Sequence, residues 1–155
     1  MGVANRKVTY FAIVLVVPGG DEVDRLEIPS RILPMWRRNA RTSRQYLGVK
    51  QKHIVVATLR IGKSLFTRVN SAKKTCPVQK EYSNGEKSHL HAEIRVLSRF
   101  VGEDLRGPML VTRWSREKSG FTMAKPCKYC TKFIRENFPH LEVIYTDRYG
   151  NLVWL

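Results

Sequence analysis

A chain of 155 residues fits a single domain and is long enough to bury a core without staples. With 43% hydrophobic and 10% aromatic residues it reads as a globular fold rather than a disordered one, so its formal net charge of +15 must sit on a folded surface. No apolar run approaches the ~20 residues of a membrane span, and three cysteines without a secretory signal argue against a disulfide framework, so reduced thiols in an intracellular compartment, cytoplasmic or nuclear, are the expectation.

Residues 7 to 17, ended by Pro18, Gly19 and Gly20, read as a buried strand, too short for a membrane helix and lacking a small-residue cleavage site. Pro34 marks a helix start. From there Trp36, Ala40, Ser43 and Leu47 share one face and Arg37, Arg41 and Arg44 another, which gives a helix with a cationic outer stripe. "HIVVATLRIGKSLFTRVN", residues 53 to 70, holds two β-rich runs around Gly62 and reads as a hairpin, and residues 71 to 87 read as a long polar loop. In "HLHAEIRVL", residues 89 to 97, the positions Leu90, Ile94, Leu97 and Val101 recur at helical spacing and predict a buried face. "PMLVTRW" is a strand, and "PCKYCTKFIRENF" a helix with Pro126 in its first turn. "LEVIYTD" and "LVWL" are strands joined by the turn "RYGN". This order predicts an α/β sandwich with a mixed sheet. "PMLVTRW" and "LEVIYTD" should form a right-handed parallel unit, and the final strand, too close to its predecessor for a crossover, should return antiparallel.

The charge is unevenly placed. From residue 28 to residue 80 there is no Asp or Glu, while Arg37, Arg41, Arg44, Lys73 and Lys74 are among the many cations of that stretch. A field of one sign on this scale favours a polyanion, for which nucleic acid is the commonest candidate and an acidic membrane surface or acidic protein the alternatives.

Two residues at the start of the "HAEIRVL" helix, His91 and Glu93, can bind metal and move protons. The later helix carries Cys127 and Cys130, whose i, i+3 spacing puts both thiols on one side of a first turn, with Lys125 and Lys128 beside them to favour thiolates. Cysteine pairs at this spacing serve zinc sites, redox sites and packing alike. His89, with His91, Cys127 and Cys130, also allows a closed Cys₂His₂ structural site. His53 and His140 stand apart and read as structural histidines.

Taken together, "HAE" at 91 to 93 and "PCKYC" at 126 to 130, separated by a strand, resemble the zinc-dependent cytidine deaminase superfamily. That superfamily includes nucleoside deaminases, TadA-type tRNA adenosine deaminases, AID/APOBEC enzymes and bacterial toxin deaminases. The resemblance covers the element order from about residue 52 to the end. It implies a three-layer α/β/α cytidine deaminase-like fold with a mixed five-stranded sheet, as one deaminase-like domain over residues 1 to 155. Within it, residues 1 to 50 supply an N-terminal strand and basic helix, and residues 51 to 155 the motif-bearing core. It implies that His91, Cys127 and Cys130 bind Zn²⁺ and leave a fourth position for water, with Glu93 as a proton shuttle that is not a ligand. Candidate substrate contacts are Asn70 in "VNSAKKTCP", Ala92 within "HAE", and Trp114 in "RWS". In the AID/APOBEC pattern two residues separate a similar S-W-S triplet from the P-C pair, whereas here ten, Arg116 to Lys125, intervene.

The antiparallel final strand matches the branch holding free-nucleoside deaminases and several toxin-type deaminases. The excess of cations then points to cytosine in single-stranded DNA or RNA, tracked by Arg37, Arg41, Arg44, Lys73 and Lys74. A free nucleoside or nucleotide deaminase, and a non-catalytic zinc-bearing nucleic-acid-binding protein, are the alternatives. No membrane partner is expected.

Overall fold

The computed structural model describes residues 10–16, 22–48, 53–75, 77–83, 85 and 89–155. The chain opens with strands β1 (Tyr10–Val16) and β2 (Glu22–Pro29), paired antiparallel as a sheet of their own. Helix α1 (Leu33–Gln45) follows, with Pro34 in its first turn as the sequence predicts. Strands β3 (Ile54–Ile61) and β4 (Ser64–Val69) form the expected hairpin, and Gly62, at φ +59°, makes its turn in a conformation that glycine adopts at no steric cost. Next come β5 (Ser71–Thr75), α2 (Pro77–Tyr82), β6 (His89–Leu90), α3 (Ala92–Leu97) and a 3₁₀ turn at Ser98–Phe100. The chain ends with β7 (Pro108–Ser115), β8 (Gly120–Thr122), α4 (Lys128–Asn137), β9 (Glu142–Thr146) and β10 (Leu152–Trp154).

The central sheet runs β10-β9-β7-β3-β4, a mixed sheet with the expected five strands on its main path, and β8 is added as a sixth strand beside β7. β7 and β9 are parallel and β10 returns antiparallel to β9. Alternation along the strands sends Ala57, Leu59, Met109, Val111, Val143 and Tyr145 to one face, where they pack against Ile94 and Leu97 of α3 and Phe133 and Ile134 of α4. Leu110 and Ile144 point the other way, to a smaller core with Ile28, Ile32, Leu33 and Met35 around α1. Helices therefore cover both faces. Among the described residues no helix is long and apolar enough to cross a membrane.

Several elements depart from expectation, each for a physical reason. The segment expected as a polar loop holds β5 and α2; Val78 and Tyr82, one turn apart on α2, pack on the main core, and Tyr82 meets Phe133 of α4 edge-on at 5.4 Å. The α3 helix tightens into its 3₁₀ turn after Leu97, so Val101 is exposed, and Leu90 lies before the helix in β6. Cys127, not Pro126, caps α4, which starts at Lys128. On α1 the buried set is Leu33, Met35, Asn39, Ala40 and Ser43, while Leu47 lies past the helix and is exposed.

The polar Asn39 sits on that buried face because it clamps the helix to the sheet. Its Nδ2 donates to the carbonyls of Val56 on β3 (3.3 Å) and Leu110 on β7 (3.2 Å), and its Oδ1 accepts from Thr58 Oγ1. Replacing it by a similar-sized apolar residue removes both clamp bonds and leaves Thr58 only its hydroxyl contact with Thr67, so Asn39→Leu should cost about 1–3 kcal/mol in urea denaturation. Parent-like stability would contradict the clamp.

A second tie joins the turn before α1 to the far edge of the sheet. Arg31 pairs bidentately with Glu142 of β9, whose Oε1 also accepts from Trp154 Nε1 of β10 at 2.8 Å. The Arg31 guanidinium, and then the Trp154 bond, hold the Glu142 carboxyl below its ordinary range against its partial burial. A lowered folded-state value means stability present above the usual carboxylate range and lost as pH falls through the folded value. Arg31 is exposed and Glu142 only partly buried, so solvent screens the pair and Arg31→Met should cost only about 0.2–1 kcal/mol at neutral pH. The gap from the parent should close on acidification, and one that widened would contradict the assignment.

Candidate metal centre

Two helix starts converge at one end of the sheet. His91 is the N-cap of α3, in extended conformation at φ −76° and ψ 149°, and Cys127 is the N-cap of α4 at φ −63° and ψ 165°. Cys127 Sγ accepts the Cys130 N–H at 3.4 Å, the bond a capping oxygen usually makes, and this fixes the sulfur at the mouth of the helix. Cys130 follows one turn in and is fully buried.

His91, Cys127 and Cys130 come together, their ligand atoms all within 4.8 Å of one another. His91 Nδ1 lies 3.6 Å from Cys127 Sγ and 3.4 Å from Cys130 Sγ. Tetrahedral zinc with Zn–N and Zn–S bonds of about 2.05 and 2.3 Å requires an N···S edge of ~3.6 Å, so the three donors fit that ion. One imidazole and two thiols are also zinc's preferred donor chemistry. The hydrogen bond from the Cys130 thiol, then those from His91 and the Cys130 N–H, lower the Cys127 thiol to about 4 despite its burial, while the same thiol pairing and burial push Cys130 up.

Glu93 stands in the first turn of α3 with 4% exposure. Burial above all raises its carboxyl above the ordinary range, opposed by its own backbone N–H, by His91 and by a hydrogen bond from Cys130. Glu93 lines a pocket of about 220 Å³ together with His91, Ala92, Cys127, Val55 and Asn70. A buried carboxyl whose neutral form is favoured above the ordinary range, beside a cluster of metal-type donors, can carry protons.

Among the other expected contacts, Ala92 is buried and faces this pocket. Asn70 lines it too, but its amide is engaged by the strand end: Oδ1 accepts the Val55 N–H at 2.9 Å and Nδ2 donates to the His53 carbonyl at 3.2 Å. Trp114 does not line the pocket. It shares the sheet face of Leu110 and Thr112, packs against Ile54 and Val56, and meets Phe121 of β8 edge-on at 5.6 Å; Phe121 in turn meets Trp36 of α1. The residues between Ser115 and Pro126 thus form the β8 hairpin that holds Trp114 in the α1 layer. Its neighbour Arg113 points into the pocket instead, with Nη2 2.5 Å from His53 Nδ1. Arg113 did not stand out in the sequence, although strand alternation places it opposite to Trp114, and His53, expected to stand apart as a structural histidine, lines the pocket. His140 pairs with Asp104, away from the site.

Arg37, Arg41 and Arg44 are exposed on α1, on the sheet face opposite the metal ligands. Lys73 and Lys74 fall in β5, and their side chains, like those of His89 and Cys76, lie outside the described residues.

Purified protein should carry a single tightly held zinc per chain by elemental analysis, and Cys127→Ser or His91→Ala should lose it. Loss on His89→Ala instead would show a closed four-ligand site. No known protein family and no curated protein matches the sequence, so the centre rests on its own geometry.

Proposed function

We propose that the chain is a zinc-dependent hydrolytic deaminase that converts cytosine to uracil in single-stranded or flipped nucleic acid. The observation that carries this reading is Glu93, a buried carboxyl that lines the same small pocket as His91 and Cys127, two of the three clustered zinc-type donors. A structural zinc site gains nothing from a neighbouring carboxyl kept out of water, because burying that group costs free energy. A hydrolytic site needs it.

His91, Cys127 and Cys130 would hold the ion. Zinc, when bound, supplies the Lewis acidity that makes water a nucleophile near neutral pH. Glu93 takes the proton that water gives up as its oxygen bonds to C4 of the base, and places it on the ring nitrogen N3. It then takes the second proton from the new C4 hydroxyl and passes it to the exocyclic amine, which leaves as ammonia as the C4–N bond breaks and the C4 carbonyl forms. Ala92, with no side chain beyond Cβ, leaves room for the flat ring next to Glu93. The pocket volume of about 220 Å³ admits a base rather than a large ligand. Arg113 and Lys125 at its lining suit the phosphates flanking that base.

Incubation with labelled single-stranded DNA, RNA and free cytidine in parallel, followed by mass spectrometry, should reveal the ~1 Da gain of deamination in a strand. Glu93→Gln should lower turnover by at least ~10²-fold and leave zinc content unchanged. Near-normal deamination by that variant would refute the proton-shuttle role. A parent that prefers free cytidine to every strand would make the protein a nucleoside deaminase.

A further inference from the structure

A strand whose base enters the metal pocket must leave over the surface around its mouth, and the cations of α1 lie on the other side of the sheet. A second groove, of about 680 Å³, lies beside the pocket along α4, lined by Lys125, Lys128, Thr131, Lys132, Arg135 and Glu136 among others. Lys125 lines both cavities, so the groove begins where the pocket ends. Lys128, Lys132 and Arg135 recur at i, i+4 and i+7, within one narrow sector of the helix, and cover ~10 Å along its axis. All three are exposed, as is Lys125. Among the described residues Glu136 is the one acidic side chain lining the groove; it accepts from Tyr82 and lies 3.9 Å from Lys132, against the four cationic side chains Lys125, Lys128, Lys132 and Arg135.

We propose that this face of α4, rather than the arginine stripe of α1, carries the phosphate backbone of a single nucleic-acid strand leaving the pocket at Lys125. The assignment rests on the deaminase reading for the base in the pocket, and on charge and continuity for the path of the strand. Lysine and arginine side chains presented along one helix face match a flexible backbone by charge, without base readout, so recognition along α4 is independent of sequence.

The test is fluorescence anisotropy of labelled single-stranded DNA and RNA with the zinc-loaded chain over a range of salt. Lys128→Ala, Lys132→Ala and Arg135→Ala combined should weaken binding about tenfold or more at low salt and flatten the slope of log K against log[salt] by up to ~2, that is ~0.7 per lost contact. The combined Arg37→Ala, Arg41→Ala and Arg44→Ala variant should keep the parent slope. Both sets replace exposed side chains, so unchanged zinc content and melting temperature show that the fold is intact. Parent-like binding by the α4 variant, or loss confined to the α1 variant, overturns the proposal. A parent that deaminates cytidine but binds no strand also overturns it and leaves the deaminase reading standing. Strand binding lost only in the α4 variant, with no deamination of any substrate, supports the path while the deaminase reading fails.

Discussion

The site exists only if two helices from distant parts of the chain begin at the same point in space. His91 and Cys127 are each the last extended residue before a helix, so their side chains project from helix mouths, and the sulfur–imidazole separations are set by where α3 and α4 start. Both helices lie on one face of the sheet, packed through Ile94, Leu97, Phe133 and Ile134 onto β3, β7 and β9. The large core is thus what brings the ligands into register. The exposed N–H groups and positive dipole ends at these mouths favour thiolate and any anion bound between them.

The opposite layer has a supporting role. Asn39 and the Arg31–Glu142 pair fasten α1 and its preceding turn to β3, β7 and β9, the strands that position α3 and α4 from behind. The β8 hairpin extends this layer, as Phe121 bridges Trp36 and Trp114 while the residues after β8, from Met123 to Cys127, turn back to wall the pocket. One hairpin therefore stiffens the α1 side and closes the pocket side.

What was legible in the sequence was whatever a short-range pattern encodes. The strand periodicity of β3, β7 and β9, the Gly62 turn and the short final connection gave the mixed sheet and its antiparallel last strand, while the trio His91, Cys127 and Cys130 was named through the resemblance carried by "HAE" and "PCKYC". Tertiary contacts hid the rest. Asn39 looks like a surface residue because its partners are backbone carbonyls on two strands far away in the chain. The helix α2 is short and polar, and only packing on α4 gives it a reason to form. Trp114 drew attention as an aromatic in a suggestive triplet, yet the parity of β7 gives the pocket to Arg113. The cationic stretch was visible as composition, but composition carries no direction, and the fold puts its helical part behind the sheet.

X-ray absorption at the zinc edge tests the central claim most directly, since it counts the ligands of the ion. The account predicts two sulfurs at about 2.3 Å and two lighter atoms at about 2.0–2.1 Å, with the outer-shell scattering of one imidazole and therefore one position not filled by protein. Two imidazoles or a third sulfur would mean a closed structural site and contradict a hydrolytic centre built on His91, Cys127, Cys130 and Glu93.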